Sequence, residues 1–322
     1  SRAGLEGRAF VAMLSSFACA IPGIMATRTI PSAKDRIATM LSAPLATCSA
    51  RLPVYVLLVG ILVPAGSSLG PVSVRGLVLF GMYLLGALSA MLAARVVKKI
   101  TDRSGTLLPF YMEMPPYRIP TLRSVGIAMW EPTKAFLRKA GTIIMGATIV
   151  IWALTTFPLR SDAEMTAAGV DPSDEVAATA YNMEHSAAAK VGKAIEPVFA
   201  PQGFDWRVNI SLIGSMAARE VAVSTLGQVA SASDPEDDVS VSESVQKWTY
   251  TDGPHQGEKV FTPDTTIAML IFFAFALQCV ATIGILKRES GSWKWPAIAF
   301  GYMFVLAWVG SSLAAIITRV VM

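Results

Sequence analysis

Residues 74–97 and 140–159 hold no charged side chain except Arg75 and Arg95 near the ends of the first stretch. About 20 apolar residues match the hydrocarbon thickness of a bilayer, and a water-soluble domain has no use for several such runs. Residues 264–286 and 293–318 are two more candidates, interrupted less by charge than by small residues. Hydrophobic residues make up 53% of the chain and charged residues only 16%, which excludes an ordinary soluble domain. In lipid every backbone group must be satisfied within the protein, so these runs are expected to be helices. Three further apolar segments are broken: 9–27 by Pro22, 37–65 by Pro44 and Pro53, and 208–230 by Arg219-Glu220. The first lacks the charged, apolar and cleavage-site regions of a signal peptide.

The cysteines fall at such interruptions. Cys19 precedes Ile21-Pro22-Gly23, Cys48 lies between Pro44 and Pro53, and Cys279 sits beside Gln278 and Thr282. A helix broken at bilayer depth frees carbonyls and amides, which only protein or a water-filled cavity can satisfy. Transporters place binding sites at such breaks, and a thiol there is a soft ligand. The combination suggests passage of a soft or borderline metal ion through a membrane. Three is an odd number, so at least one thiol is outside any intramolecular disulfide. His185 and His255 fall in polar stretches and read as solvated rather than as ligands.

Basic residues favour the cytoplasmic side. Arg2 and Arg8 precede 9–27, and Arg28, Lys34 and Arg36 follow it, so both its ends read as cytoplasmic, with Pro22-Gly23 turning a re-entrant hairpin. Residues 37–65 then go out, 66–73 turn, and 74–97 return to Lys98, Lys99 and Arg103. The basic stretch 98–139 is cytoplasmic in this scheme, with 124–139 as an amphipathic surface helix. Residues 140–159 cross outward to an acidic loop, and 208–230 leads to a second one, making it a hairpin that enters from the opposite face. Residues 264–286 come back in to Lys287 and Arg288, and 293–318 leave again. The expected fold is all-α: a polytopic helical membrane protein with two inverted repeats, each a re-entrant hairpin plus a broken transmembrane helix. Its segments are a first gate repeat (1–100), a basic loop and amphipathic helix (101–139), a second gate repeat with an acidic external loop (140–230), an acidic loop (231–263) and C-terminal transmembrane helices (264–322). Ile37-Ala38-Thr39-Met40-Leu41 ahead of Cys48 echoes Ile267-Ala268-Met269-Leu270 ahead of Cys279.

The residues around these breaks carry a family resemblance. Leu14-Ser15-Ser16-Phe17-Ala18-Cys19-Ala20-Ile21-Pro22-Gly23-Ile24-Met25 resembles the first gate motif of the FeoB family of bacterial ferrous iron transporters. Ala43-Pro44-Leu45-Ala46-Thr47-Cys48-Ser49-Ala50-Arg51-Leu52-Pro53 and Met112-Glu113-Met114-Pro115-Pro116-Tyr117 follow in order. Gly214-Ser215-Met216-Ala217-Ala218-Arg219-Glu220-Val221 is similar to the second gate motif, and Cys279-Val280-Ala281-Thr282 with Lys287-Arg288-Glu289 to the last. The resemblance implies a permease passing Fe2+ across the bacterial cytoplasmic membrane. It also implies an N-terminal GTP-binding domain of the same protein, small accessory Feo proteins, surrounding lipid and a homo-oligomer as partners, and no nucleic acid. No Gly-x4-Gly-Lys-Ser/Thr phosphate loop occurs here. The chain therefore reads as the C-terminal part of a longer transporter, itself not an enzyme, with GTP bound only by the missing domain. Leu277-Gln278 stands where the family often has a proline before the cysteine.

The candidate metal residues are Cys19, Cys48, Cys279, Glu220 and Glu113. Thiolate and carboxylate are both credible ligands for ferrous iron, and a carboxylate at membrane depth is costly enough to mark an ion path. Glu220 has a structural alternative as the partner of Arg219 or Arg51, and Arg51 reads as a clamp on broken backbone. Glu113 is either a cytoplasmic-side relay or an interfacial cap, and Met25 is a soft contact beside Cys19. Because an ion must leave as readily as it enters, partial and sequential coordination is expected rather than a closed cage. Two other readings compete. A concentrative-nucleoside-type solute carrier would use Ser16, Asn209, Ser215 and Gln278 around a cavity, and a membrane thiol oxidoreductase would need a Cys pair that the spacing does not supply.

Overall fold

The computed structural model describes residues 7–64, 66–101, 121–158, 161–169, 171, 173, 175–217, 219, 221–229, 238–250 and 256–321. It is helical almost throughout, with one short β hairpin among the described residues. Helices α1 (Gly7–Ser16) and α2 (Ala20–Ala26) form a hairpin, followed by α3 (Ala33–Ser42) and α4 (Leu52–Leu62). Strands β1 (Ser68–Leu69) and β2 (Val72–Ser73) turn the chain into α5 (Val74–Thr101). Then come α6 (Leu122–Thr156), α7 (Asp162–Ala167), α8 (Glu175–Glu184) and α9 (Ala187–Phe199). A second hairpin, α10 (Trp206–Ala217) and α11 (Val221–Val229), leads through α12 (Asp238–Val245) to α13 (Pro263–Phe275), α14 (Val280–Ser290) and α15 (Lys294–Val321).

Four stretches among the described residues are long and apolar enough to cross a membrane: 33–62, 74–100, 263–290 and 294–321. The second and fourth are continuous helices with apolar outer faces. On α5, Leu77, Phe80, Leu84, Leu88 and Leu92 are exposed at helical spacing, as lipid contact demands. On α15 the buried stripe is Ala299, Met303, Ala307, Ser311 and Ala315. Small residues there let α15 lie close against α13, where Gly310 faces Ile271 and Phe275.

The other two stretches are broken, and each break moves the chain from one core to another. Leu45 and Ala46 pack with Met13, Ile24 and Leu286, whereas Val54, Leu57 and Leu58 beyond the first break pack with Leu226, Met269 and Phe273. At the second break Ala276 belongs to the latter cluster and Leu277 to the former. The two hydrophobic clusters are thus interleaved through the breaks rather than divided along the sequence.

Charges tie the ends together. Glu289, at the end of α14, has a side chain only 4% exposed and accepts from Arg28 and Arg36 at the far side of the first hairpin. Lys98 at the end of α5 reaches Asp35 in the first turn of α3 at 2.9 Å. Arg75 donates to the carbonyls of Gly60 and Val63, closing the C-terminus of α4.

Three expectations are corrected. The first hairpin turns at Phe17–Cys19, and Pro22 and Gly23 lie inside α2. Proline is tolerated in a first helical turn because its missing N–H would be unbonded anyway. Residues 124–139 and 140–156 form one continuous α6 rather than a surface helix followed by a span, since nothing at 139–141 breaks a helix as proline would. The acidic stretches read as loops contain α7, α8, α9 and α12. Their alanine-rich runs, Ala187-Ala188-Ala189 after the N-cap Ser186 among them, carry helix propensity that acidic composition masks.

Candidate functional site

All three cysteines stand at the same local position. Cys19 is the N-cap of α2 (φ −158°, ψ 138°), Cys48 of the 3₁₀ turn Ser49–Arg51 that opens α4 (φ −91°, ψ 161°), and Cys279 of α14 (φ −156°, ψ 103°). Each is in extended backbone where a helix resumes after an interruption. In each case the cysteine carbonyl starts the new turn, accepting from Gly23, Arg51, and Thr282 and Ile283. None of the three side chains makes a capping hydrogen bond to its own helix, and the Cys48 sulfur meets Arg219. None is in a disulfide; Cys48 is buried, and Cys19 and Cys279 are partly buried.

The second break, Ala276–Cys279, forms without the family's proline. Its cause is tertiary. Two buried guanidiniums converge on the carbonyls that the break frees. Arg51, fully buried, donates to Pro44 O (3.3 Å) and Leu45 O (3.4 Å) of its own break and to Ala276 O (3.4 Å) of the other. Arg219, 5% exposed, donates to Ala276 O (3.4 Å) and Gln278 O (3.3 Å), and its third nitrogen meets Cys48 Sγ at 3.5 Å. Arg51 is therefore the backbone clamp that its position suggested. Arg219, read from the sequence only as a partner for Glu220, does the same work across the two halves. The visible signal was a second arginine inside an apolar segment.

These bonds lace the breaks together. Ser49 Oγ donates to Ala18 O at 2.9 Å, joining the first hairpin's turn to the residue after Cys48. Arg219 then joins Cys48 to the residue before Cys279. Among the described residues, no three His, Cys, Asp or Glu side chains are gathered closely enough to hold one ion. Glu220, Glu113 and His255 lie outside the described residues. Met25 and Cys19 both pack against the same hydrophobic cluster. His185, partly buried, follows the last residue of α8, its Nδ1 2.9 Å from Tyr181 O and its ring against Tyr181.

The residues of the solute-carrier reading are differently engaged. Ser16 and Ser215 donate to carbonyls of their own helices, Ala12 O at 2.9 Å and Leu212 O at 2.6 Å, and Asn209 donates to Gly192 O at 3.2 Å. A cavity of about 260 Å³ lies nearby, lined by Phe199, Leu212, Phe272, Phe300 and Phe304 among others, and Gln278 is its one polar lining residue. Such a lining does not suit a sugar or a base.

The chain matches the family described as "Nucleoside recognition" (Gate) over residues 1–62 and 137–293, and the family described as "Ferrous iron transport protein B C terminus" over residues 79–131. It is 40% identical, over 97% of its length, to an "Fe(2+) transport protein A/Fe(2+) transporter FeoB fusion protein" of Porphyromonas gingivalis, of which it covers 38%. It is 40% identical over 95% of its length to an "Fe(2+) transporter FeoB" of Leptospira interrogans, covering 42% of that protein. A protein of the same description from Methanocaldococcus jannaschii is 34% identical over 98% of the chain, which again covers 42% of it. The chain thus spans about four tenths of the length of these relatives. No solved structure matches it.

Proposed function

We propose that this chain, which belongs to the FeoB family and makes up its C-terminal membrane part, is the permease through which Fe2+ crosses the bacterial cytoplasmic membrane, passing sulfur ligands at the helix breaks. The observation that carries this reading is the common placement of Cys19, Cys48 and Cys279, each at the N-cap of a helix that resumes after a break, with Arg219 bridging two of the breaks.

The chemistry follows from what is left over. Transporters often use freed carbonyls as cation ligands, but here Pro44, Leu45, Ala276 and Gln278 already accept from guanidiniums. Sulfur at the same breaks is a ligand that suits a borderline ion such as Fe2+. A cysteine binds metal as the thiolate. Two buried positive charges beside the thiols keep the site from becoming strongly anionic and so weaken its hold on a divalent ion, which release requires. The ion would then pass from sulfur to sulfur with water retained. Glu220 and Glu113 remain proposed carboxylate ligands on sequence grounds alone.

Two hairpins and two broken helices are the parts that alternating access needs, and we take them as inverted repeats entering from opposite faces. GTP binding belongs to the N-terminal domain expected in the whole protein. A small accessory protein of the kind fused to the Porphyromonas relative is the expected partner. Lipid surrounds the spans, and a homo-oligomer is a further expectation.

The test is anaerobic uptake of radioactive Fe2+ by the full-length protein in liposomes. Cys48→Ser is expected to lower the uptake rate at least about tenfold, the effect of replacing a soft ligand by a harder one of similar volume. Cys19→Ser and Cys279→Ser should lower it less, and all three proteins should elute as folded, monodisperse species. Undiminished uptake by the triple Ser variant would rule out the sulfur path.

A further inference from the structure

We infer that Arg219 is a resident cation of the pathway: it holds the Cys48 sulfur in the ion-free protein, and a passing metal ion takes that sulfur only by displacing it. The inference rests on the sulfur-path reading above and adds a residue that acts through Cys48 rather than by binding metal. Arg219 lies in the turn between α10 and α11, so its side chain reports the position of the second hairpin. Its bond to Cys48 Sγ is 3.5 Å, and its bonds to Gln278 O and Ala276 O are 3.3 and 3.4 Å.

The neighbouring clamp makes the displacement affordable. Arg51 also donates to Ala276 O, so when Arg219 leaves, that carbonyl keeps a donor and only Gln278 O is released. Arg51 itself has no such freedom, because two of its bonds go to carbonyls of its own break, Pro44 and Leu45. A divalent ion and a guanidinium cannot share one sulfur, since like charges a few ångströms apart in a low-dielectric site repel strongly. Arrival of the ion at Cys48 therefore pushes the hairpin turn away from the second break. Return of Arg219 pushes the ion onward. This couples occupancy to hairpin movement and weakens metal binding at the same stroke.

The experiment is a Co2+ titration of the full-length protein in detergent under anaerobic conditions, following the sulfur-to-Co2+ charge-transfer absorption. Arg219→Gln is expected to tighten Co2+ binding about tenfold, a coupling of the size seen for contacting residues, while Arg219→Lys gives a smaller gain because charge persists without the planar fork. In a Cys48→Ser background the same Arg219→Gln change should give a clearly smaller gain, because only through-space repulsion is then relieved. Weaker binding by both Arg219 variants, or an equal gain with and without Cys48, would overturn the inference and leave Arg219 as a structural clamp. A wild-type protein with no sulfur-to-Co2+ absorption would instead overturn the underlying sulfur path. A normal wild-type signal with unchanged affinity in the variants overturns the displacement alone.

Discussion

Arg51→Leu is expected to lose about 2–5 kcal/mol of stability, read as a fall in folded yield and in melting temperature of the detergent-solubilised protein. The side chain is fully buried and donates to three carbonyls on two separate helix breaks. Without it Pro44 O and Leu45 O lose these donors where water does not reach, at roughly 1–3 kcal/mol each. Ala276 O keeps Arg219. Losing the guanidinium also ends its own desolvation cost, but the carbonyls cannot leave with it, and removing one side of a buried polar contact is the costly case. Arg51→Lys should recover only part of the loss, since a single ammonium cannot span the same acceptors. A leucine variant as stable as the parent would mean that the breaks hold themselves.

Gly23→Ala is expected to open the first hairpin, and Gly23→Val to do so more severely. A Cβ built on Gly23 falls 1.9 Å from Ser16 Oγ and 2.8 Å from the backbone oxygen of Ala12. The serine hydroxyl could rotate away at the expense of its 2.9 Å bond to Ala12 O, but the carbonyl cannot move without moving α1. Overpacking of this kind costs about 1–3 kcal/mol, and here the strain falls on the turn that carries Cys19. The expected readouts are faster labelling of Cys19 by a thiol reagent and loss of iron uptake. Adding Ser16→Gly should restore only part of both, because the Ala12 carbonyl remains in the way. Full restoration would show that the serine alone sets the packing.

The physics of the sequence explains which parts of this arrangement were readable. Proline at 44 and 53 and a charged pair at 219–220 punctuate apolar runs, so the first broken helix and the second hairpin stood out. Position 276–279 has neither proline nor charge. Its break is held open by arginines 57 to 225 residues away in sequence, and no local pattern encodes such a contact. Pro22-Gly23 resembles a turn in sequence, whereas in space the proline sits in the first turn of α2 and the glycine admits α1. Interleaving of the two cores likewise depends on which side of each break packs where, which hydropathy does not specify. The cysteines were legible as candidates, while the role of Arg219 required knowing what lies opposite it.

In the proposed path, sulfur at the helix breaks meets the transported ion. X-ray absorption at the iron edge, on the full-length protein loaded anaerobically with Fe2+, tests it most directly. Sulfur is expected in the first shell of the iron, with fewer sulfur scatterers in Cys48→Ser and none in the Cys19→Ser/Cys48→Ser/Cys279→Ser protein. A first shell of oxygen and nitrogen alone, unchanged by the triple substitution, would contradict it.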